Sequence, residues 1–328
     1  MENITIEDNK TNREHLNKVY TSNLKAGINR SKPFEKKKLC QFAVNVGTRC
    51  GHGCVYCSSP SLLRQHDSFQ QHGLNAFDFG YSIVDPDTVI RVQTDAKRKR
   101  KRGLIQLSTT TDAWSPEAQE YDLGRGCLEA ILAEPDWSLR ILTKNAAVAE
   151  DFDVIEKYSD RVLFGMSISC LPQFEPVRSI LEPLASSTQD RFDAIESAND
   201  KGIRTYGMLC PLFPGEMSSY ENLTQLFQAT LRNAPMEIFA EPVNPRGKSI
   251  TASEDALRQA GLVSEAAAFG AIRNEDAWRQ YAVELTQTLL GLAEQYYYPA
   301  KMRILLYENQ FDDASRNQID DAEGVVWL

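Results

Sequence analysis

The chain of 328 residues lacks any apolar run near the roughly 20 residues that a helix needs to cross a bilayer. Its opening residues, MENITIEDNKTNREHLNKVY, lack the apolar stretch of a secretory signal. Together these absences set the expectation of a cytosolic (cytoplasmic) protein with no membrane partner. Cysteines are few and poorly arranged for crosslinking: there are seven, an odd number, at Cys40, Cys50, Cys54, Cys57, Cys127, Cys170 and Cys210. Such spacing is no disulfide framework, and reduced thiols are expected unless they bind metal. Positive charge is short as well, with 36 Lys and Arg against 45 Asp and Glu and a formal net charge of -9, so the surface as a whole is not that of a nucleic-acid binder. No internal repeat or low-complexity linker calls for a second domain. What remains, 42% apolar with mean hydropathy -0.40, is an ordinary globular composition at a length that one α/β barrel can fill.

The patterning supports that class. Strand-like runs recur at 41–47 (QFAVNVG), 104–110 (LIQLSTT), 139–144 (LRILTK), 162–168 (VLFGMSI), 203–210 (IRTYGMLC) and 237–243 (EIFAEPV). Helical spacing fills the intervals, as in SPEAQEYDLGRGCLEAILAE and STQDRFDAIESANDKG, the second closing on Gly202. Strand and helix alternating at this rhythm imply right-handed crossovers and a parallel sheet. Six repeats predict an open, partial (β/α)6 barrel of the TIM type over residues 39–250. Residues 1–38 read as an N-terminal extension, partly helical around NREHLNKVYTSNL. Residues 251–328, with the helical NEDAWRQYAVELTQTLLGLAEQYY and the strand-like KMRILLYE, read as a C-terminal appendage. Ligands of such folds bind where the strands end and the loops gather.

One cluster of chemistry lies at that end. The stretch VGTRCGHGCVYCSSP follows the first strand directly and spaces its thiols Cys50-x3-Cys54-x2-Cys57. Seven cysteines scattered at random would almost never give this pattern. Structural zinc is one reading, but it needs four closed ligands, and only His52, Cys40 or His66 could complete the set. A redox dithiol of Cys54 and Cys57 would leave Cys50 unused. An iron–sulfur cubane held by three thiolates, with one iron left for a non-protein ligand, accounts for all three cysteines. Gly47, Gly51 and Gly53 let backbone wrap closely around a bulky group, and Tyr56 stands where it would shield that group from water or touch its ligand.

The C-x3-C-x2-C loop after a first barrel strand resembles the signature of the radical S-adenosylmethionine (SAM) enzymes. In order along the chain, STTTDAWSPEAQ, ILTKN, MSIS, LEPLASSTQDRFDAIESANDKGI, PLFPGE and EPVNPRG resemble the motifs of the branch named for spore photoproduct lyase. The resemblance implies a [4Fe–4S] cluster on Cys50, Cys54 and Cys57 and SAM on its open iron. It also implies hydrogen abstraction by a 5′-deoxyadenosyl radical and an electron donor such as a flavodoxin or ferredoxin. By position it assigns Thr110, Thr111 and Asp112 to SAM, and Lys144 and Ser167 to the SAM carboxylate or ribose. Glu241, Asn244 and Arg246 fall at substrate or SAM contacts. Glu182 and Arg191 are expected to form a bracing ion pair or a substrate contact. One departure stands out: the branch places a hydrogen-donating thiol just beyond strand two, and Thr109 occupies that position here. An O–H bond is too strong for that task, so Cys170 and Cys210 become the candidate donors.

The acidic total hides two basic stretches. Lys97–Arg102 is KRKRKR, and residues 24–38 carry Lys25, Arg30, Lys32, Lys36, Lys37 and Lys38 around Glu35. Each is read either as a solvated surface or as a contact for the phosphates of a nucleic acid. The substrate expected from the resemblance is a nucleic acid or nucleotide. The alternatives are a small molecule or peptide for a radical SAM enzyme, and a zinc-bound interaction protein without catalysis.

Overall fold

A computed structural model describes residues 18–319 and 322–328. Within them the strands are β1 (Lys18–Thr21), β2 (Asn29–Arg30), β3 (Phe42–Val44), β4 (Gly47–Arg49), β5 (Tyr81–Val84), β6 (Leu104–Leu107), β7 (Ser138–Thr143), β8 (Val162–Ile168), β9 (Gly207–Leu212), β10 (Ile238–Pro242), β11 (Met302–Leu306) and β12 (Val325–Trp327). The six expected barrel strands are β3 and β6 to β10. They lie side by side in one sheet of order β12-β11-β10-β9-β8-β7-β6-β3-β2, parallel throughout except for β2. The sheet curls without joining its edges, so the fold is a partial TIM-type barrel.

Local chemistry fixes the crossovers. The helix Thr188–Asp200 starts on a capping box, in which Ser187 and Asp190 bond each other's backbone N–H, and the turn after it uses Gly202 at a φ of 70°. Behind the sheet, Leu139, Ile141, Phe164 and Met166 alternate inward on β7 and β8 and pack with Leu128, Ile131, Phe152 and Ile195 of the outer helices.

Two features depart from the sequence expectation. The late strand is not a separate appendage: β11 pairs with β10 and β12 pairs with β11, extending the barrel sheet by two strands. Around NREHLNKVYTSNL, residues 12–17 lie outside the described residues, and Lys18–Thr21 form a strand rather than a helix. It pairs in parallel with β5, which in turn pairs with β4, making a small second sheet beside the barrel.

The end of the N-terminal extension is also part of the barrel. Residues 31–41 run between the open edges, and Phe34 and Leu39 pack in the lumen with Tyr206, Met208, Phe239, Leu305 and Val326. Lys37 spans the gap: its Nζ donates to Tyr307 Oη at 2.9 Å and lies 3.5 Å from Glu241 Oε2. The lumen is therefore filled from the side, and a substrate is confined to the mouth where the parallel strands end. Leu39, 1% exposed, is the central apolar residue of this wedge. Leu39→Ala is expected to lower the unfolding free energy by about 2–5 kcal/mol. Urea titration measures it, and a loss below about 1 kcal/mol would mean that the wedge is not packed as described.

Candidate functional site

The cysteine loop leaves β3, passes through β4 and turns at the mouth. Gly47 is required by close approach, because a Cβ there would meet the Ile83 carbonyl oxygen at 2.0 Å. Gly53 is required by conformation, at a φ of 65°. The loop is clamped from two sides. Glu117 accepts the Gly51 N–H on both oxygens, at 2.9 and 3.0 Å. On the other side the segment after the helix Glu175–Leu181 exchanges backbone bonds with it, from Val55 N–H to Leu181 O (2.9 Å) and from Leu184 N–H to His52 O (3.2 Å).

His52, 1% exposed, is a strut rather than a metal ligand. Its Nδ1 lies 3.0 Å from Leu184 O and its Nε2 2.9 Å from Asp112 Oδ2. Both nitrogens face acceptors, so both donate and the ring carries a proton. Burial opposes that charge, but the Asp112 carboxylate outweighs it and the pKa is raised. Asp112, expected at SAM, is already engaged on both oxygens. Besides His52 it accepts from Thr143 Oγ1, Lys144 N–H and Trp114 N–H. Sequence reasoning missed Asn45, whose Oδ1 accepts the N–H groups of Thr109, Thr110 and Thr111 at 2.9, 2.8 and 3.2 Å and whose Nδ2 donates to Thr109 Oγ1 at 2.7 Å. The threonine turn is thus pinned to the first strand.

The thiols of Cys50, Cys54 and Cys57 are half-buried and have no hydrogen-bond partner among the described residues. Burial first, then neighbouring carboxylates and thiols, pushes the Cys50 thiol well up and the Cys54 thiol to about 12. Among the described residues no three His, Cys, Asp or Glu side chains gather around one point as ligands of a single ion, which a zinc site would need. Three thiolates that each bind a different iron of a cubane stand further apart. Three soft thiolates on one loop are a donor set that fits a [4Fe–4S] cluster with one open iron.

Behind the loop lies a charged hub. Glu182 is fully buried and accepts from Tyr56 Oη, from Ser169 Oγ (2.7 Å) and from Arg191 Nη2. Arg191, also 0% exposed, bonds the Ser167 and Ser186 carbonyls with its remaining groups, at 2.8 and 3.0 Å. The pair is the brace expected from sequence, and its burial leaves no surface for a substrate. Beside it, Lys144 Nζ donates to Ser167 Oγ at 2.7 Å and sits 5.8 Å above the Tyr56 ring. Burial works against the Lys144 charge, Glu182 more than offsets it, and the pKa is raised, so the ammonium persists.

From Lys144 the mouth continues in one chain of contacts. Ser167 Oγ bonds the Cys210 carbonyl, Cys210 Sγ lies 3.8 Å from Glu241 Oε2, and Glu241 faces Lys37 and Tyr307. Arg246 lies 4.4 Å from the centre of the Tyr307 ring and pairs with no carboxylate among the described residues. Asn244 is buried and accepts from Arg246 N–H and Gln310 Nε2. Cys170 is not part of this chain. It is 1% exposed and packs toward the helix Thr188–Asp200, with Thr188 Oγ1 at 4.0 Å. The Lys97–Arg102 run spans the last turn of the helix Thr88–Arg98 and the loop to β6, at the amino ends of the strands, opposite the mouth. Lys37 and Tyr307, 270 positions apart in sequence, carry no local signal that would have paired them.

An open parallel barrel with a three-thiol loop and a protonated lysine at its mouth is an enzyme scaffold for a cluster-bound cofactor. The Radical SAM superfamily model matches residues 44–226, and the chain belongs to that superfamily. Its members use a [4Fe–4S] cluster and SAM and take an electron from a donor. The chain is 24% identical over 220 residues, 66% of its length and 71% of the relative's, to an uncharacterized protein, ORF301, of Acidianus two-tailed virus. It superposes on a point mutant of spore photoproduct lyase with a TM-score of 0.57, at 17% identity over 85% of this chain and 79% of that one. A spore photoproduct lyase variant with bound AdoMet and dinucleoside spore photoproduct gives 0.54, at 17% identity over 79% and 72%. No helix of the described residues is long and apolar enough to cross a membrane.

The hub sets an expected pH dependence. The carboxyl of Glu182, buried but facing Arg191 and Lys144, is held down from 4.5 to about 2. A depressed carboxylate contributes stability that is full above pH 4.5 and lost as pH falls through about 2. Glu182→Gln leaves Arg191 charged and unpaired in the interior, and is expected to cost about 3–5 kcal/mol at neutral pH. Urea midpoints of parent and variant should converge as pH falls from 4.5 toward 2. A constant gap would show that the lost term is packing rather than charge.

Proposed function

We infer that the chain is a radical SAM enzyme that abstracts hydrogen from a nucleic acid or nucleotide held over the barrel mouth. The reading is carried by three partnerless thiols that stand beside a buried lysine kept protonated by Glu182. Cys50, Cys54 and Cys57 would hold the cluster. Bound there and reduced by a flavodoxin or ferredoxin, it supplies the electron that splits SAM into methionine and a 5′-deoxyadenosyl radical. Lys144 offers a fixed positive charge to the SAM carboxylate and Ser167 a hydroxyl to its ribose. Tyr56, its ring beside Lys144 and its hydroxyl donating to Glu182, closes the site against water. Thr110 and Thr111 shape the neighbouring rim, and Asp112 serves by holding His52 and the backbone of Lys144.

On the substrate side Thr109, Glu241, Asn244 and Arg246 would contact the substrate. The support for a nucleic-acid substrate is the fold shared with spore photoproduct lyase, together with the uncompensated guanidinium of Arg246. Cys210, which shares the Ser167 and Glu241 contacts, would serve as donor in preference to Cys170. Burial first, then Glu241, pushes its thiol to about 12, so the S–H bond that would give up a hydrogen atom stays intact. Reduced thiols and an electron-carrier partner suit a cytosolic setting.

Anaerobic reconstitution with iron and sulfide should give brown protein that forms 5′-deoxyadenosine from SAM under reductant. Cys50→Ala should abolish it. Lys144→Ala should weaken SAM binding by about 10–100-fold, the worth of one charged hydrogen bond. Colourless protein with stoichiometric zinc would sink the reading. Deuterium passing from a deuterated oligonucleotide into 5′-deoxyadenosine would support the substrate, whereas turnover on a small molecule alone would remove only that part.

A further inference from the structure

The Lys97–Arg102 run plays no part at the mouth, yet its surroundings are built for negative charge. At the amino ends of the strands a pocket of about 300 Å³ is lined by Leu104, Ser138, Leu163, Arg161, Arg204 and Glu237, among others. Arg161 donates to the carbonyls of Leu132, Glu134 and Trp137, and Arg204 to those of Ser159 and Asp160. Neither meets a carboxylate among the described residues. Glu237, the one carboxylate in the lining, is neutralised by Arg140, whose Nε and Nη1 are buried without a partner. Leu104 joins this pocket to the basic run, where Lys97, Arg98, Arg100 and Lys101 are exposed. The loops 97–103, 133–138, 157–161, 200–206 and 232–237 carry 11 Lys and Arg against 5 Asp and Glu, an excess that comes from the six cations of the Lys97–Arg102 run, although the chain carries a net charge of -9. So marked a separation of charge gives this end a positive field that the rest of the surface opposes.

We propose that the amino end of the barrel is a second, non-catalytic nucleic-acid site, in which Lys97–Lys101, Arg161 and Arg204 hold phosphodiesters of the same polymer whose reacting nucleotide lies at the mouth. The proposal rests on the nucleic-acid reading of the mouth and adds a length requirement. The longest strands, of six and seven residues, set the two ends apart by about 20 Å, some six base pairs of duplex, before the loops are counted. A mononucleotide reaches one end only. A polymer longer than about ten nucleotides reaches both.

The test compares the reconstituted parent with a Lys97→Gln, Arg98→Gln, Arg100→Gln, Lys101→Gln variant, and with Arg204→Gln alone. The probes are a mononucleotide and fluorescent oligonucleotides of 6, 12 and 20 residues, titrated at several salt concentrations. Parent affinity should rise with length. In the fourfold variant the 20-mer should bind at least tenfold more weakly, with a log–log salt slope reduced by about 3, while the mononucleotide and uncoupled 5′-deoxyadenosine formation are unchanged. Arg204→Gln should reduce the slope by about 1. If the parent binds the 20-mer and the fourfold variant matches it in affinity and slope, the second site is wrong and the mouth reading stands. If the parent binds no oligonucleotide at low salt, both fall.

Discussion

A carboxylate with no access to solvent organises this molecule. Glu182 can stay ionised in the interior only if donors surround it, since an unpaired buried charge is untenable. Those donors come from separate parts of the chain: Tyr56 from the cysteine loop, Ser169 from the end of β8, and Arg191 from the helix that leads to β9. Meeting the needs of one charge therefore ties the loop to two successive strand–helix units. Arg191 then reaches the carbonyl of Ser167, and Ser167 receives Lys144, so the same constraint sets the place of the Lys144 ammonium at the mouth. The backbone exchange between 52–55 and 181–184 follows from the same approach.

The second constraint is topological. A parallel sheet that curls but does not close leaves a lateral gap and two unpaired edges. Here Phe34 and Leu39 fill the gap, and Lys37 carries a charge across it to Tyr307 and Glu241. Plugging the side directs all access to the strand carboxyl ends, and it also gives those ends part of their chemistry. Glu241 meets Lys37 from the wedge and the Cys210 thiol from β9. A segment that completes the barrel thereby shapes the environment of the candidate hydrogen donor.

Much of this was legible in the sequence because the relevant signals are local. Six strand runs, their helical intervals and the Cys50, Cys54, Cys57 spacing all lie within short windows. Glu182 and Arg191 are nine residues apart on the two sides of one helix start, so their pairing could be expected. What stayed hidden was non-local or ambiguous in type. Asn45 looks like any strand residue until the threonine turn, 64 positions on, folds over it. Asp112 matched a cofactor motif, but its neighbours His52, from the cysteine loop, and Thr143, from the end of β7, already bond its oxygens. The small sheet of β1, β5 and β4 escaped notice because YSIV is short and VYT lies in a polar segment that reads as helical. The basic run was visible as composition. Only the fold says which end of the barrel it occupies.

The charges around the cysteine loop carry one more implication. Its carboxylates Glu117, Asp112 and Glu182 are faced by the cations His52, Arg191 and Lys144, so the protein side of the site is close to balanced without the thiols. Burial first, and then the carboxylates and thiols nearby, favours the protonated form of the Cys50 and Cys54 thiols. Only cations brought in from outside can compensate the thiolate form. Loading iron must then displace protons from the loop, which makes assembly steeply pH-dependent. The ammonium of Lys144, matched to Glu182 and held by Ser167 Oγ, is a fixed positive charge beside that loop.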